Sequence, residues 1–171
     1  GIAAGVMHSA AVTEDGAVYT WGTSKHGVCL PTGSIPWKPS DAELVHVQCG
    51  QKHTLFHDSL QRVWSIGSTN WGQLGRAISG GNAGARFDST PSLVELPGPS
   101  GERRILSVAC GWSHSVVVYS IGTLSPSARW CCFALYVQRC SLMRCLVVMC
   151  VIPEATTYLA GWGRADLGQL P

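Results

Sequence analysis

The sequence predicts an all-β fold: a partial β-propeller of short antiparallel four-stranded blades, interrupted by one atypical apolar, Cys-rich insertion. Three observations predict it. A set of Gly, His and Trp landmarks recurs three times at fixed intervals. The copies hold short apolar runs joined by turn residues, about four strands per repeat. The chain also carries 20 glycines and 9 prolines in 171 residues, which favours many turns over long helices.

The first copy runs Ala4-Gly5-x-x-His8, then Glu14-Asp15-Gly16, then Val18-Tyr19-Thr20-Trp21-Gly22, then Gly27-Val28-Cys29-Leu30. The second runs Cys49-Gly50-x-x-His53, then Val63-Trp64-Ser65-Ile66-Gly67, then Gly72-Gln73-Leu74-Gly75. The third runs Cys110-Gly111-x-x-His114, then Trp162-Gly163, then Gly168-Gln169-Leu170-Pro171. Gly to His is three residues in every copy, and the next two glycines are always five apart (22 to 27, 67 to 72, 163 to 168). His to the Trp/Ile position is thirteen residues twice (8 to 21, 53 to 66) and 48 in the third copy (114 to 162), an excess of 35.

Each copy reads as strands. Ser9 to Thr13 and Ala17 to Trp21 are short runs joined by Glu14-Asp15-Gly16. Asp-Gly at that place predicts a type I′ hairpin, with positive φ at both central residues. Asp58-Ser59-Leu60-Gln61 gives the second copy a weaker turn. Leu44 to Gln48 and Arg104 to Ala109 lead into the Cys-Gly pairs as further strands. Polar connectors follow at Pro31 to Ser40 and Gly80 to Ser100. The repeats thus cover 1–119, as about 1–44, 45–105 and a third beginning at 106. The insertion is 120–157, and 158–171 is the truncated end of the third repeat.

The recurring residues read as structural. Gly5, Gly50 and Gly111, and the glycines after the Trp position, Gly22, Gly67 and Gly163, mark positive φ or close backbone approach. Gly72, Gly75 and Gly168 do the same in the last turn, where Leu74 and Leu170 plug an apolar gap. His8, His53 and His114 lie one per repeat, too far apart to share a metal at ~2.1 Å. They are expected to be buried rings bonded to neighbouring backbone. Cys49 and Cys110 alternate with Ala4, as small buried residues do. Trp21 and Trp162 alternate with Ile66, which predicts core packing. Trp71 and Trp112 fall outside the pattern, as partner anchors or as loop packing.

The totals narrow the function. Twelve basic and ten acidic residues, net +2, give no electrostatic case for nucleic acid or an anionic membrane. The densest basic pair, Arg103-Arg104, reads as solvated surface. There is no Gly-x-Ser-x-Gly, phosphate loop, His-Glu-x-x-His or paired Cys-x-x-Cys. No catalytic, cofactor-binding or metal-binding residue is therefore expected, and no enzyme activity. No basic leader opens the chain at Gly1 to Ala11, so an intracellular, reducing setting is expected, cytoplasmic or nuclear. The absence of an initial Met, and a stop at Pro171 straight after a motif, predict that both ends are cut.

The order Cys/Ala-Gly-x-x-His, Asp-Gly, Val-Tyr-x-Trp-Gly, Gly-Gln-Leu-Gly resembles the repeat of the regulator of chromosome condensation family. Trp-Asp and kelch repeats do not fit. The resemblance covers residues 1 to about 119 and about 158 to 171. It implies a seven-bladed propeller whose blades each take strands from two repeats. It also implies a protein-interaction module. Some members are guanine nucleotide exchange factors for Ran-like small GTPases, and a short cytosolic exchange factor of the secretion-regulating kind is an expected relative of this chain. Others are scaffolds of ubiquitin-ligase or trafficking type. The expected partner is accordingly a protein, with a small GTPase as the first candidate and a non-catalytic adaptor role as the alternative. No GTPase-contact residue matches, so none is carried over. Three repeats do not close such a ring. Either further chain is missing or the product is marginally folded.

Residues 120–157 break the grammar. Trp130 to Ile152 is 23 residues of apolar sequence containing Cys131, Cys132, Cys140, Cys145 and Cys150. Its length suits a membrane span. Arg139 and Arg144 near its middle weigh against one, at ~2.5–3.5 kcal/mol each. It reads instead as sequence foreign to the propeller, of the kind a retained intron or gene-model error leaves. Most transcripts are expected to lack it; a membrane-inserted or lipid-modified loop is the alternative.

Overall fold

Among the described residues, alternation of apolar and polar residues and glycine-marked turns give thirteen strands in three successive sheets, antiparallel throughout except for one parallel pairing in the third. The computed structural model describes residues 1–23, 25–30, 36–77, 86–96 and 103–121, and the strand backbones at 135–136, 146–147, 149–152 and 155–163. The first sheet orders β1 (Ile2–Ala4), β2 (His8–Val12) and β3 (Val18–Gly22). Trp37 adds a single antiparallel bridge to Val18 at the outer edge. The second orders β4 (Leu44–Cys49), β5 (His53–Asp58), β6 (Val63–Ser68) and β7 (Phe87–Leu93). Pro91 sits in β7, an edge strand, where a missing N–H is tolerated.

The third sheet begins with β8 (Arg103–Cys110) and β9 (His114–Ile121), and β13 (Ala155–Gly163) pairs antiparallel with β9. Short strands β10 (Leu135–Tyr136), β11 (Leu146–Val147) and β12 (Met149–Ile152) complete it, with β12 against β13. The register settles where the third repeat resumes. Gly163 pairs with His114 and Trp162 with Ser115. These match Gly22 with His8 and Gly67 with His53. The insertion therefore lengthens the connection from β9 to β13 without moving the third Trp-Gly from its place. Gly168 and Leu170, and most of the apolar stretch 130–152, lie outside the described residues. Among the described residues no helix is long and apolar enough to cross a membrane.

Two cores lie between the sheets. Leu44, Val47, Phe56 and Ile66 meet Ala10, Val12, Val18 and Leu30 between the first and second. Leu55 and Val63 meet Ile105, Val108, Val117 and Tyr119 between the second and third. Strand β5 is covered on both faces, so Leu55 and Phe56, pointing opposite ways, are both fully buried. Each such side chain contributes roughly 1.5–3 kcal/mol.

Three expectations are corrected here. The Glu14-Asp15-Gly16 turn is not type I′, because only Gly16 has positive φ (76°). Gly16 N–H bonds to Thr13 and Thr13 N–H to Ala17, a type I turn closed by one left-handed residue. The second turn has the same geometry, with Gln61 (φ 61°) in the glycine's place. Trp21 is not core: it is 52% exposed, whereas Ile66 is fully buried. Ile66 faces the first sheet, and among the described residues nothing covers the matching face of β3. Arg103 is not solvated surface either. Its guanidinium bonds to the Leu96 carbonyl at 2.6 Å and lies over the Tyr119 ring.

Candidate functional site

The inner strands β1, β4 and β8 stand side by side. Their turns into β2, β5 and β9 carry the Gly-x-x-His motif and gather at one end of the molecule. In each motif the glycine N–H bonds to the histidine carbonyl, closing the same turn three times, at 2.8 to 2.9 Å. The glycines are required by close approach. A Cβ on Gly50 would lie 2.3 Å from the His53 ring and 2.7 Å from the Gly111 carbonyl; one on Gly5 would lie 2.4 Å from the Gly50 carbonyl. Each glycine therefore carries its own histidine ring, and the first two also stack on the next repeat.

The histidines join the sheets. His8 Nε2 meets Thr54 Oγ1 at 2.9 Å, and Thr54 in turn donates to the Val28 carbonyl. His53 Nε2 meets Ser115 Oγ at 2.8 Å, and Ser115 donates to the Gln73 carbonyl at 2.8 Å. Each hydroxyl spends its one proton on a carbonyl, so it accepts from the imidazole, which is neutral and protonated on Nε2. The expected bond to neighbouring backbone is thus replaced by a hydroxyl of the following repeat, which relays to a backbone carbonyl. Burial holds His8 below its ordinary pKa. Burial first, then the neighbouring His114 and His8, pushes His53 down to about 3.

The thiols follow the same sheet-to-sheet rule. Cys49 Sγ donates to the Ala3 carbonyl at 3.7 Å and Cys110 Sγ to the Gln48 carbonyl at 3.6 Å. Burial raises both, Cys49 to about 12, so they stay protonated and are poor nucleophiles. Ala4, in the matching first position, is exposed rather than buried. Among the described residues no group of three or more His, Cys, Asp or Glu side chains is placed to hold a metal.

Above this frame lies a mouth of about 360 Å³, lined by Ala4, Cys49 and Cys110, by Gly5, Gly50 and Gly111, and by Val6, Gln51 and Trp112. The first two sets build the walls. The third, one residue past each glycine, differs in every repeat, and Val6 and Trp112 are more than half exposed. Met7 and Trp71, on turns at the same end, add exposed apolar surface. Fixed walls with variable, exposed tips suit recognition of a partner surface. The sequence reading did not pick out Thr54 and Ser115. Its available signal was a hydroxyl residue directly after each histidine: Ser9, Thr54 and Ser115.

Comparison with known proteins agrees with this geometry. Two models of the Regulator of chromosome condensation (RCC1) repeat match, one over residues 62–118 and one over 1–28. The longer match takes β6 and β7 from the second sheet and β8 and β9 from the third, so the repeat straddles two sheets. The chain is 33% identical to rat (Rattus norvegicus) Alsin over 133 residues, 68% of this chain and 7% of Alsin. It is 26% identical to the Secretion-regulating guanine nucleotide exchange factor of Bos taurus, covering 75% of this chain and 31% of that protein. It is 33% identical to human (Homo sapiens) E3 ubiquitin-protein ligase HERC2 over 71% of this chain and 2% of the ligase. The chain thus spans less than a third of each. Yeast RCC1 (Prp20), solved bound to Kap60, superposes with a TM-score of 0.56 at 21% identity, over 70% of this chain and 31% of that one, which shows the shared fold.

Proposed function

This chain carries the repeats of the regulator of chromosome condensation family, and from that we propose that it is a protein-interaction propeller module whose Gly-x-x-His end receives a protein partner. The observation behind this reading is the mouth itself. Its walls are fixed by glycine and histidine in every repeat, while its rim residues Val6, Gln51 and Trp112 are variable. Buried neutral histidines and protonated thiols hold the frame. A small Ran-like GTPase whose nucleotide the module helps release is the first candidate partner, supported by the match to an exchange factor. An adaptor role within a much longer protein is the second reading, supported by the match to a short part of HERC2. An intracellular setting, cytoplasmic or nuclear, belongs to the same proposal. Cys29, Cys49 and Cys110 are free thiols, which suits a reducing compartment.

The test is release of labelled nucleotide from a panel of small GTPases by the protein expressed from its complete reading frame. Acceleration with one GTPase, lost in Trp112→Ala without loss of fold, supports exchange at this mouth. No acceleration with any GTPase removes the exchange reading and leaves the adaptor. Partner capture that is unchanged in Trp112→Ala overturns the assignment of the mouth.

A further inference from the structure

The second repeat carries two histidines that the repeat grammar does not use. His46 on β4 and His57 on β5 are direct cross-strand partners. Such pairs hold their Cβ atoms ~4.5–5.5 Å apart on one face of the sheet. In the third repeat the same two places are Ser107 and Val118, paired in the same register. In the first, the place of His57 is Val12. The pair is therefore no part of the frame that builds a blade, and at the His57 place the frame is content with valine.

Both rings line a cavity of about 340 Å³ between β4, β5 and β8, at the end of the sheets away from the mouth, with Gln48 and Ser107 also on its wall. His57 Nε2 is buried and has no hydrogen-bond partner. Asp58 sits beside the pair but has no spare capacity. Its oxygens accept from the Leu60 and Arg62 N–H groups, the Arg62 guanidinium and the Trp64 indole.

We propose that His46 and His57 form a two-imidazole chelate for a borderline divalent transition cation of the Zn²⁺ or Ni²⁺ class, with water completing the shell. Two imidazoles without a free carboxylate suit such cations and not Mg²⁺ or Ca²⁺, which take oxygen ligands. The cation gives the buried Nε2 of His57 the partner it lacks. It also ties β4 to β5 beside the bulge between Leu44 and His46.

The test is Zn²⁺ titration of the full chain followed by long-range ¹H–¹⁵N spectra of the imidazole rings, which read each histidine separately from any thiol that binds metal. The expected result is that the His46 and His57 ring nitrogens shift together along one saturating curve. His46→Asn, an exposed change, then abolishes the response of His57. His57 unmoved by Zn²⁺, movement of one ring alone, or a His57 response that persists in His46→Asn overturns the proposal. The wild-type titration decides on its own if the variant folds poorly.

Discussion

The side-chain oxygen of Gln61 accepts the backbone N–H of Ile105 at 2.7 Å. At the preceding junction the backbone carbonyl of Gly16 does this, accepting from the matching Leu44 N–H at 3.0 Å. Gln61 thus holds a left-handed backbone that favours glycine and uses its side chain to fasten the third inner strand to the second sheet. Gln61→Ala keeps the backbone strain and leaves a part-buried N–H unmet, an expected cost of about 1–3 kcal/mol. Gln61→Gly also loses the bond but relieves roughly 1 kcal/mol of strain. Urea unfolding midpoints should therefore rank wild type above the glycine variant and glycine above alanine. Equal midpoints for the two variants contradict the strain.

Gly50 and Gly111 occupy the same place in successive motifs but face different neighbours. A Cβ on Gly50 meets a backbone carbonyl of the next repeat as well as the His53 ring, whereas on Gly111 the nearest atoms all belong to the half-buried His114 side chain. A side chain can turn aside; a stacked backbone cannot. Gly50→Ala is expected to cost at least about 2–3 kcal/mol, and Gly111→Ala clearly less. Paired thermal denaturation of the two variants checks the order.

Asp58 is fully buried and accepts four hydrogen bonds, at 2.7 to 3.0 Å. Asp58→Ala removes the acceptor for two backbone N–H groups, the Arg62 guanidinium and the Trp64 indole at once. The expected loss is about 3–5 kcal/mol, in line with other broken buried pairs. Asp58→Asn keeps one acceptor oxygen and should fall between that variant and wild type. Denaturant titration measures both, and an alanine variant within 1 kcal/mol of wild type, far below the ~3 expected, would sink the account.

What could be read from the sequence was local or periodic. The Trp162-Gly163 pair was placeable across a 35-residue excess because its spacing to Gly168 repeats, and β13 does pair with β9 in the register of the other copies. What could not be read depends on a neighbouring sheet. Trp21 and Ile66 share one place in the pattern, and among the described residues only Ile66 has a sheet packed over it. The hydroxyl partners of the histidines lie 46 and 62 residues away, beyond any local motif. The second turn was legible at Asp58-Ser59-Leu60-Gln61, but its left-handed residue was not, because positive φ is read from glycine, and the cross-strand pairing of His46 with His57 depends on a bulge the sequence does not announce.

Acid should loosen the joints between sheets before it neutralises the carboxylates. His53 has a folded-state pKa of about 3, and burial also lowers His8 and His57. In the unfolded chain these rings titrate near ~6.5. A depressed histidine binds its proton more readily when unfolded, so its contribution is complete above ~6.5 and is lost as pH falls from there towards the folded value. Each deeply buried ring should then add a slope of roughly 1 kcal/mol per pH unit. Protonating His53 also places a second charged N–H against Gly50, where no acceptor waits. Unfolding midpoints in urea should be flat from pH 8 to 7 and fall steadily between ~6.5 and 5. His53→Asn should be less stable at neutral pH and show a shallower fall. A midpoint independent of pH across that window would mean that the rings are not held neutral by the fold.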